Sequence, residues 1–174
     1  MRIGVQIKFF TREWAHGDLS EEKCNEIRSA YRLHVDSLLS YLSESVAQLA
    51  KETSLHDGVI RRVCLDHKTG KLVLELRCGN RQTGYFDLDL IYLGVDFSAL
   101  DLATLAERAG DRETELWYDE VDIYNDGRYI HRVLFWPVGE ISILFAQLPM
   151  ERVARLNRSI PYIENPYVDS SRGQ

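Results

Sequence analysis

The chain has 174 residues, of which 45% are hydrophobic and 10% aromatic, and it carries a formal net charge of −6. That is enough apolar material for one domain with a single core, and no apolar run approaches the roughly 20 residues a membrane-spanning helix needs. The N-terminus shows no basic stretch leading into an apolar core and cleavage site, so a cytoplasmic protein is expected. The widely spaced Cys24, Cys64 and Cys78 argue for reduced thiols rather than a disulfide framework.

In chain order, Ile3, Val5, Ile7 and Phe9 alternate and predict a short edge strand over residues 3–10. Asp18 with Glu21 has the spacing of a capping box. From there Ile27, Tyr31, Val35, Leu38, Leu42, Val46 and Leu49 recur at steps of three and four up to about Lys51, which predicts one long amphipathic helix of roughly 45 Å lying across a sheet.

An antiparallel meander follows over residues 59–92. Its turns are His67-Lys68-Thr69-Gly70 and Gly79-Asn80-Arg81-Gln82-Thr83. Pairing Asp66 with Lys71 also aligns Arg62 with Glu75. The same register gathers Val59, Val63, Leu65, Leu72, Leu74, Leu76, Cys78, Phe86, Leu88, Leu90 and Tyr92 on one apolar face. Ser98 and Asp101 predict the start of a short helix ending near Gly110.

A second meander spans residues 112–148. Asn125-Asp126-Gly127 fits a three-residue hairpin with a bulge, which sets Tyr124 opposite Arg128 and Glu120 opposite Arg132. Trp117, Val121, Ile123, Tyr129, Val133 and Phe135 then share the apolar side, joined across Pro137-Val138-Gly139 by Ile141, Ile143 and Phe145. Asp119 and His131 interrupt that side one diagonal step apart, within reach of each other. The expected fold is α+β: an antiparallel meander sheet of about six strands packed on one long N-terminal helix, in a single domain over residues 1–160. The tail over residues 161–174 is polar and proline-punctuated, and weak order is expected there.

Function has to be argued without a catalytic signature. The chain has no G-x-S-x-G elbow, phosphate loop, dinucleotide fingerprint or H-E-x-x-H helix. Cys64 and His67, with Cys78 or His56, fall short of a four-ligand zinc site, so no metal or cofactor is expected. Between Tyr85 and Asp126 lie twelve acidic residues against two arginines, Arg108 and Arg112. An acidic surface repels nucleic acid and steers a basic protein partner. Alternation places Asp87, Asp89, Glu120 and Asp122 on outward faces, which makes them the candidate partner contacts. The enzyme alternative is a small hydrolase using His56, Asp119 and His131 as acid and base groups. On an extended chain His56 and Asp57 point apart and do not serve one another.

The segments FFTREW (Phe9 to Trp14), SLHDG (Ser54 to Gly58), IHRVLF (Ile130 to Phe135) and GEISILF (Gly139 to Phe145) resemble a family of small uncharacterised bacterial proteins. That family and its neighbours are similar to immunity proteins, which neutralise toxins in bacterial competition. The resemblance implies a non-enzymatic binding protein whose partner is a toxin domain.

Overall fold

The structure is a computed structural model that describes residues 6–82 and 84–154. The strand expected over residues 3–10 lies partly outside them, and residues 6–10 of it run as irregular chain. The polar tail over residues 161–174 lies wholly outside.

Two antiparallel sheets replace the single meander sheet expected from the sequence. Strands β1 (Val59–Asp66), β2 (Lys71–Asn80), β3 (Gly84–Leu93) and β7 (Met150–Ala154) form one in the order β1-β2-β3-β7. Strands β4 (Glu115–Ile123), β5 (Tyr129–Trp136) and β6 (Glu140–Phe145) form the other. Their apolar faces meet in one core, where Leu72, Leu74, Leu76, Leu88, Leu90 and Tyr92 of the first pack with Val121, Val133, Phe135, Ile141, Ile143 and Phe145 of the second. Strand β7 is not among the elements expected from the sequence; pairing of Leu88 with Arg152 and Leu90 with Met150 draws these residues onto the edge of β3.

The hairpin registers follow the local chemistry. Asp66 pairs with Lys71 and Arg62 with Glu75, while Glu120 pairs with Arg132. Gly127 takes a φ of 83°, and the Tyr124 N–H donates to the Arg128 carbonyl at 2.7 Å, closing the expected turn. Two bulges then change which side chains face inward. One between Ile60 and Arg62 turns Ile60 into the core in place of Val59; the other, between Leu116 and Tyr118, inserts Trp117 as an unpaired residue and takes it off the apolar face.

The long helix is broken. Helix α1 (Arg12–His16) starts at Thr11 and ends at Gly17, which has a φ of 78°. Helix α2 (Glu21–Leu38) is capped by Ser20 rather than Asp18, and α3 (Glu44–Glu52) follows a single turn at Leu39–Tyr41. The Tyr129 hydroxyl serves the break by accepting from the Ser43 N–H at 3.1 Å and donating to the Tyr41 carbonyl at 3.2 Å. An unbroken helix follows one axis. The break lets α2 lie along β4 while α3 sends Val46 and Leu49 into the core. Helix α4 (Leu102–Gly110) ends where expected, but its cap is Asp101, accepting from the Thr104 N–H at 3.0 Å.

The SLHDG segment joins the sheets. The Asp57 N–H donates to the Leu116 carbonyl at 2.9 Å, and the Leu116 N–H donates to the Gly58 carbonyl at 2.7 Å. A Cβ on Gly58 would lie 2.7 Å from the Leu55 carbonyl oxygen, so only glycine fits this crossing.

Candidate functional site

The expected acidic display divides in two. Glu120 and Asp122 do not face solvent: they are 1% and 6% exposed, under the N-terminal segment. The Glu120 carboxylate accepts from three consecutive backbone N–H groups, those of Lys8 at 2.9 Å, Phe9 at 2.5 Å and Phe10 at 2.7 Å. Asp122 accepts from Lys8 Nζ at 2.8 Å and from Arg132 at 3.3 Å, and bonds His34 Nε2 at 3.0 Å. Burial alone would raise the Asp122 carboxyl, but bonds from Lys8, its neighbour's N–H and His34 hold it below the usual range. Alternation correctly assigned these carboxylates to one side of the strand; what it missed is that residues 8–10 and α2 cover that side.

Asp87 and Asp89 lie on the outer face of the four-stranded sheet. Asp87 bridges Arg61 at 2.8 Å and Arg77 at 3.3 Å. Asp89 instead stands between two carboxylates, directly opposite Glu75 on β2 and Glu151 on β7. Burial, then Glu75 and Glu151, push its carboxyl up. Much of the remaining acidic run is taken up locally: Asp96 accepts from Ser98, Asp111 from Glu113 and Thr114, and Asp126 from Arg128.

Asp119 and His131 meet as their register implies. His131 Nε2 lies 3.0 Å from Asp119 Oδ2, and the other ring nitrogen, Nδ1, lies 2.7 Å from the Tyr92 hydroxyl on the opposite sheet. The Asp119 carboxylate can only accept, so Nε2–H donates to it and Nδ1 is left to accept from the Tyr92 hydroxyl, whose phenol burial pushes well up. His131 is fully buried with both nitrogens engaged, and its ring serves to orient Asp119.

Asp119 opens onto a cleft of about 260 Å³ lined by Phe10, Tyr31, His56, Trp117 and Tyr118 beside residues of α3. The bulge at Trp117 builds its wall, because it brings two successive aromatics round to neighbouring positions, with ring centroids 6.0 Å apart. Tyr118 packs edge-on against Trp14 at 4.7 Å and His56 at 4.9 Å. Contrary to the extended-chain expectation, His56 Nδ1 reaches Asp57 Oδ1 at 2.7 Å, since Asp57 takes a φ of 60° and turns its side chain back. The Tyr31 hydroxyl accepts from the Val121 N–H at 2.9 Å, covering a backbone donor on edge strand β4.

Beyond the cleft the aromatic surface continues. Trp117 packs edge-on against Trp136 at 5.0 Å and against His16 at 5.0 Å, and Trp136 is 41% exposed beside Val138, which is 56% exposed. The sequence reading missed this surface. Its available signal was the adjacent pair Trp117-Tyr118, because a regular strand cannot place two neighbouring aromatics on one side.

Cys64 is exposed, Cys78 is buried with its thiol pushed up to about 12 by burial, and His67 packs on Phe97 at 4.3 Å. Among the described residues there is no group of three or more His, Cys, Asp or Glu side chains placed to hold a metal ion. No helix there is long and apolar enough to cross a membrane.

Together these features define an α+β protein of two antiparallel sheets with an aromatic cleft at one end of the smaller one. The chain belongs to the family described as Protein of unknown function (DUF4085), whose model matches residues 5–144. No curated protein and no solved structure matches it. The match takes in the FFTREW and SLHDG segments, to which the structure gives plain positional work: one is held by Glu120 and the other joins the sheets.

Proposed function

We propose that this chain is a non-enzymatic protein-binding protein whose contact surface is the aromatic end of the three-stranded sheet. The observation that carries the reading is the exposure of Trp136 and Val138 together, beside Trp117. Tryptophan is enriched where interfaces concentrate their binding energy, and a folded chain gains little by leaving it in water. The net charge of −6 favours a basic partner. Asp87 and Asp89 remain the acidic contacts of this reading, whereas Glu120 and Asp122 are committed to the N-terminal segment. Its most concrete form, suggested by the family resemblance, is an immunity protein occluding a toxin domain.

The hydrolase alternative has less support. Its three residues reduce to two at the cleft, His56 and Asp119, because His131 has no free nitrogen and no exposure.

The test is co-expression with the product of the adjacent reading frame, followed by a pull-down. A stable complex that weakens at least about tenfold in the W136A/V138S variant is expected, since a central tryptophan is commonly worth about 2 kcal/mol or more. A neighbouring toxin left active and unbound would overturn the immunity form. Wild-type affinity in the double variant would overturn the surface assignment.

A further inference from the structure

We propose that the cleft over Asp119 is a binding site for a quaternary ammonium group. Four aromatic side chains from three parts of the chain line it: Phe10 from the N-terminal segment, Tyr31 from α2, and Trp117 and Tyr118 from the bulge of β4. Phe10 packs edge-on against Tyr31 at 4.9 Å and lies 5.8 Å from Tyr118, so these rings form a continuous aromatic surface along the cleft. Aromatic faces carry negative charge density, and several rings around one point attract a cation without needing its protons.

Asp119 supplies the counter-charge. Its Oδ2 is held by His131, so the carboxylate stays oriented at the cleft it lines. The charge is felt locally: burial and then Asp119 push the Tyr31 phenol up.

The lining selects the kind of cation. A primary ammonium has three N–H donors to satisfy on leaving water; besides Asp119 and the tyrosine hydroxyls the polar side chains lining the cleft are Thr53, Ser54 and His56, of which Thr53 bonds the Gln48 carbonyl and His56 bonds Asp57. A fully methylated ammonium has no such donors. Of the three cations lining the adjoining opening, Arg28, Arg32 and Lys51, Lys51 bonds Asp36 at 2.7 Å and the Arg28 guanidinium sits 5.2 Å from the Trp14 ring. At about 260 Å³ the cleft has room for a group several waters in size. Trp117 is shared with the protein-binding surface, but Phe10, Tyr31, Tyr118 and Asp119 are not, so the titration with the cleft variants and the pull-down with W136A/V138S fail separately.

Choline is the probe, titrated into the full chain while amide and indole NMR signals are followed. Saturable shifts centred on Trp117, Tyr118 and Asp119 are expected, with a Kd on the order of 1 mM or tighter. The neutral tert-butyl analogue of choline should bind at least about tenfold more weakly, and so should Nα-acetyl-lysine amide. D119N should weaken choline about tenfold while leaving the neutral analogue unchanged, a difference that a general loosening of the fold does not produce. Should D119N not fold, Y118L with Asp119 intact is the second variant, expected to lose choline binding. Equal affinity for choline and its neutral analogue, or shifts that do not saturate by about 50 mM, would overturn the proposal. Tighter binding of the lysine derivative would overturn the selectivity for methylated ammonium.

Discussion

Asp87-Leu88-Asp89 and Glu120-Val121-Asp122 are alike in sequence, two carboxylates flanking an apolar residue on a central stretch of strand, yet while Asp87 is paired with Arg61 and Arg77, Asp89 meets an environment opposite to that of Glu120 and Asp122. In each the middle residue enters the shared core, with Leu88 and Val121 both buried. Over Glu120 and Asp122 the N-terminal segment has folded down, and polar groups converge on them: the amides of Lys8, Phe9 and Phe10, the Lys8 ammonium, the His34 ring and Arg132. Around Asp89 the neighbours are carboxylates, Glu75 and Glu151. Alternation along a strand fixes the side a residue faces; the rest of the chain decides whether that side meets water, and so whether a carboxylate is an anchor or a free charge.

The largest effect expected from breaking this contrast is at Glu120. Replacing it by Ala leaves three aligned N–H groups without an acceptor and Arg132 with one carboxylate fewer, and removal of one partner from a buried charged cluster costs about 3 to 5 kcal/mol. Thermal denaturation should show a fall in Tm of roughly 10 °C. Limited proteolysis should cut first in the N-terminal segment near Arg12. An E120A protein with wild-type Tm and an uncut N-terminus would show that residues 8–10 are held by their aromatic packing alone.

Asp122 comes next. Asn at this position keeps the shape but removes the charge facing Lys8 and Arg132, at a cost of about 1.5 to 3 kcal/mol for the charged hydrogen bonds lost. The pH dependence follows from its lowered carboxyl. Asp122 stabilises the fold fully above the unfolded value of about 3.9, and that contribution disappears as pH falls through the lower folded value. Denaturant curves of wild type and D122N should therefore converge in acid and separate towards neutrality; a gap independent of pH would assign the effect to shape rather than charge.

Smaller again is the effect expected at Tyr92, which links the two sheets through His131. Y92F leaves a buried Nδ1 without its donor and should cost about 1 to 3 kcal/mol in urea denaturation. The choline titration adds a second reading, since a ring freed from Tyr92 orients Asp119 less well. Unchanged stability would mean that the imidazole finds another partner within the core.

Local chemistry made the hairpins legible. Two ion pairs and one turn glycine were enough to place Arg62 opposite Glu75, Asp66 opposite Lys71 and Glu120 opposite Arg132, because each partner is close in sequence. The same register brought Asp119 and His131 together, but Tyr92 could not be read in the same way, as it reaches His131 from a different sheet. The bulges at residues 61 and 117 carry no glycine to announce them, and each reverses the facing of the residues beyond it. For the helix, the apolar repeat ran unbroken through residues 38–46, and what separates α2 from α3 is served by Tyr129, nearly ninety residues away by the separation of 86 from Ser43. The cleft is likewise assembled from distant segments, which is why its aromatics read as core in the sequence.

The last and smallest effect is the reverse of that at Asp122. In D89N the residue facing Glu75 and Glu151 no longer repels them, and like charges directly opposite on neighbouring strands cost about 0.2 to 1 kcal/mol, so the variant should be more stable than wild type by that amount at neutral pH. The sign of the pH dependence also reverses. Because the folded carboxyl is raised, wild-type Asp89 is least costly when protonated; its contribution is fully favourable below the unfolded value of about 3.9 and is lost as pH rises through the higher folded one. D89N and wild type should thus coincide in acid and diverge above it, with the variant on top. Under the binding reading the same substitution should slow association with a basic partner and flatten its salt dependence, because a half-buried surface charge acts mainly on the encounter rate. Stability gained together with association slowed would mark Asp89 as a charge kept for a partner at the expense of the fold. Stability gained with association unchanged would confine recognition to the aromatic end.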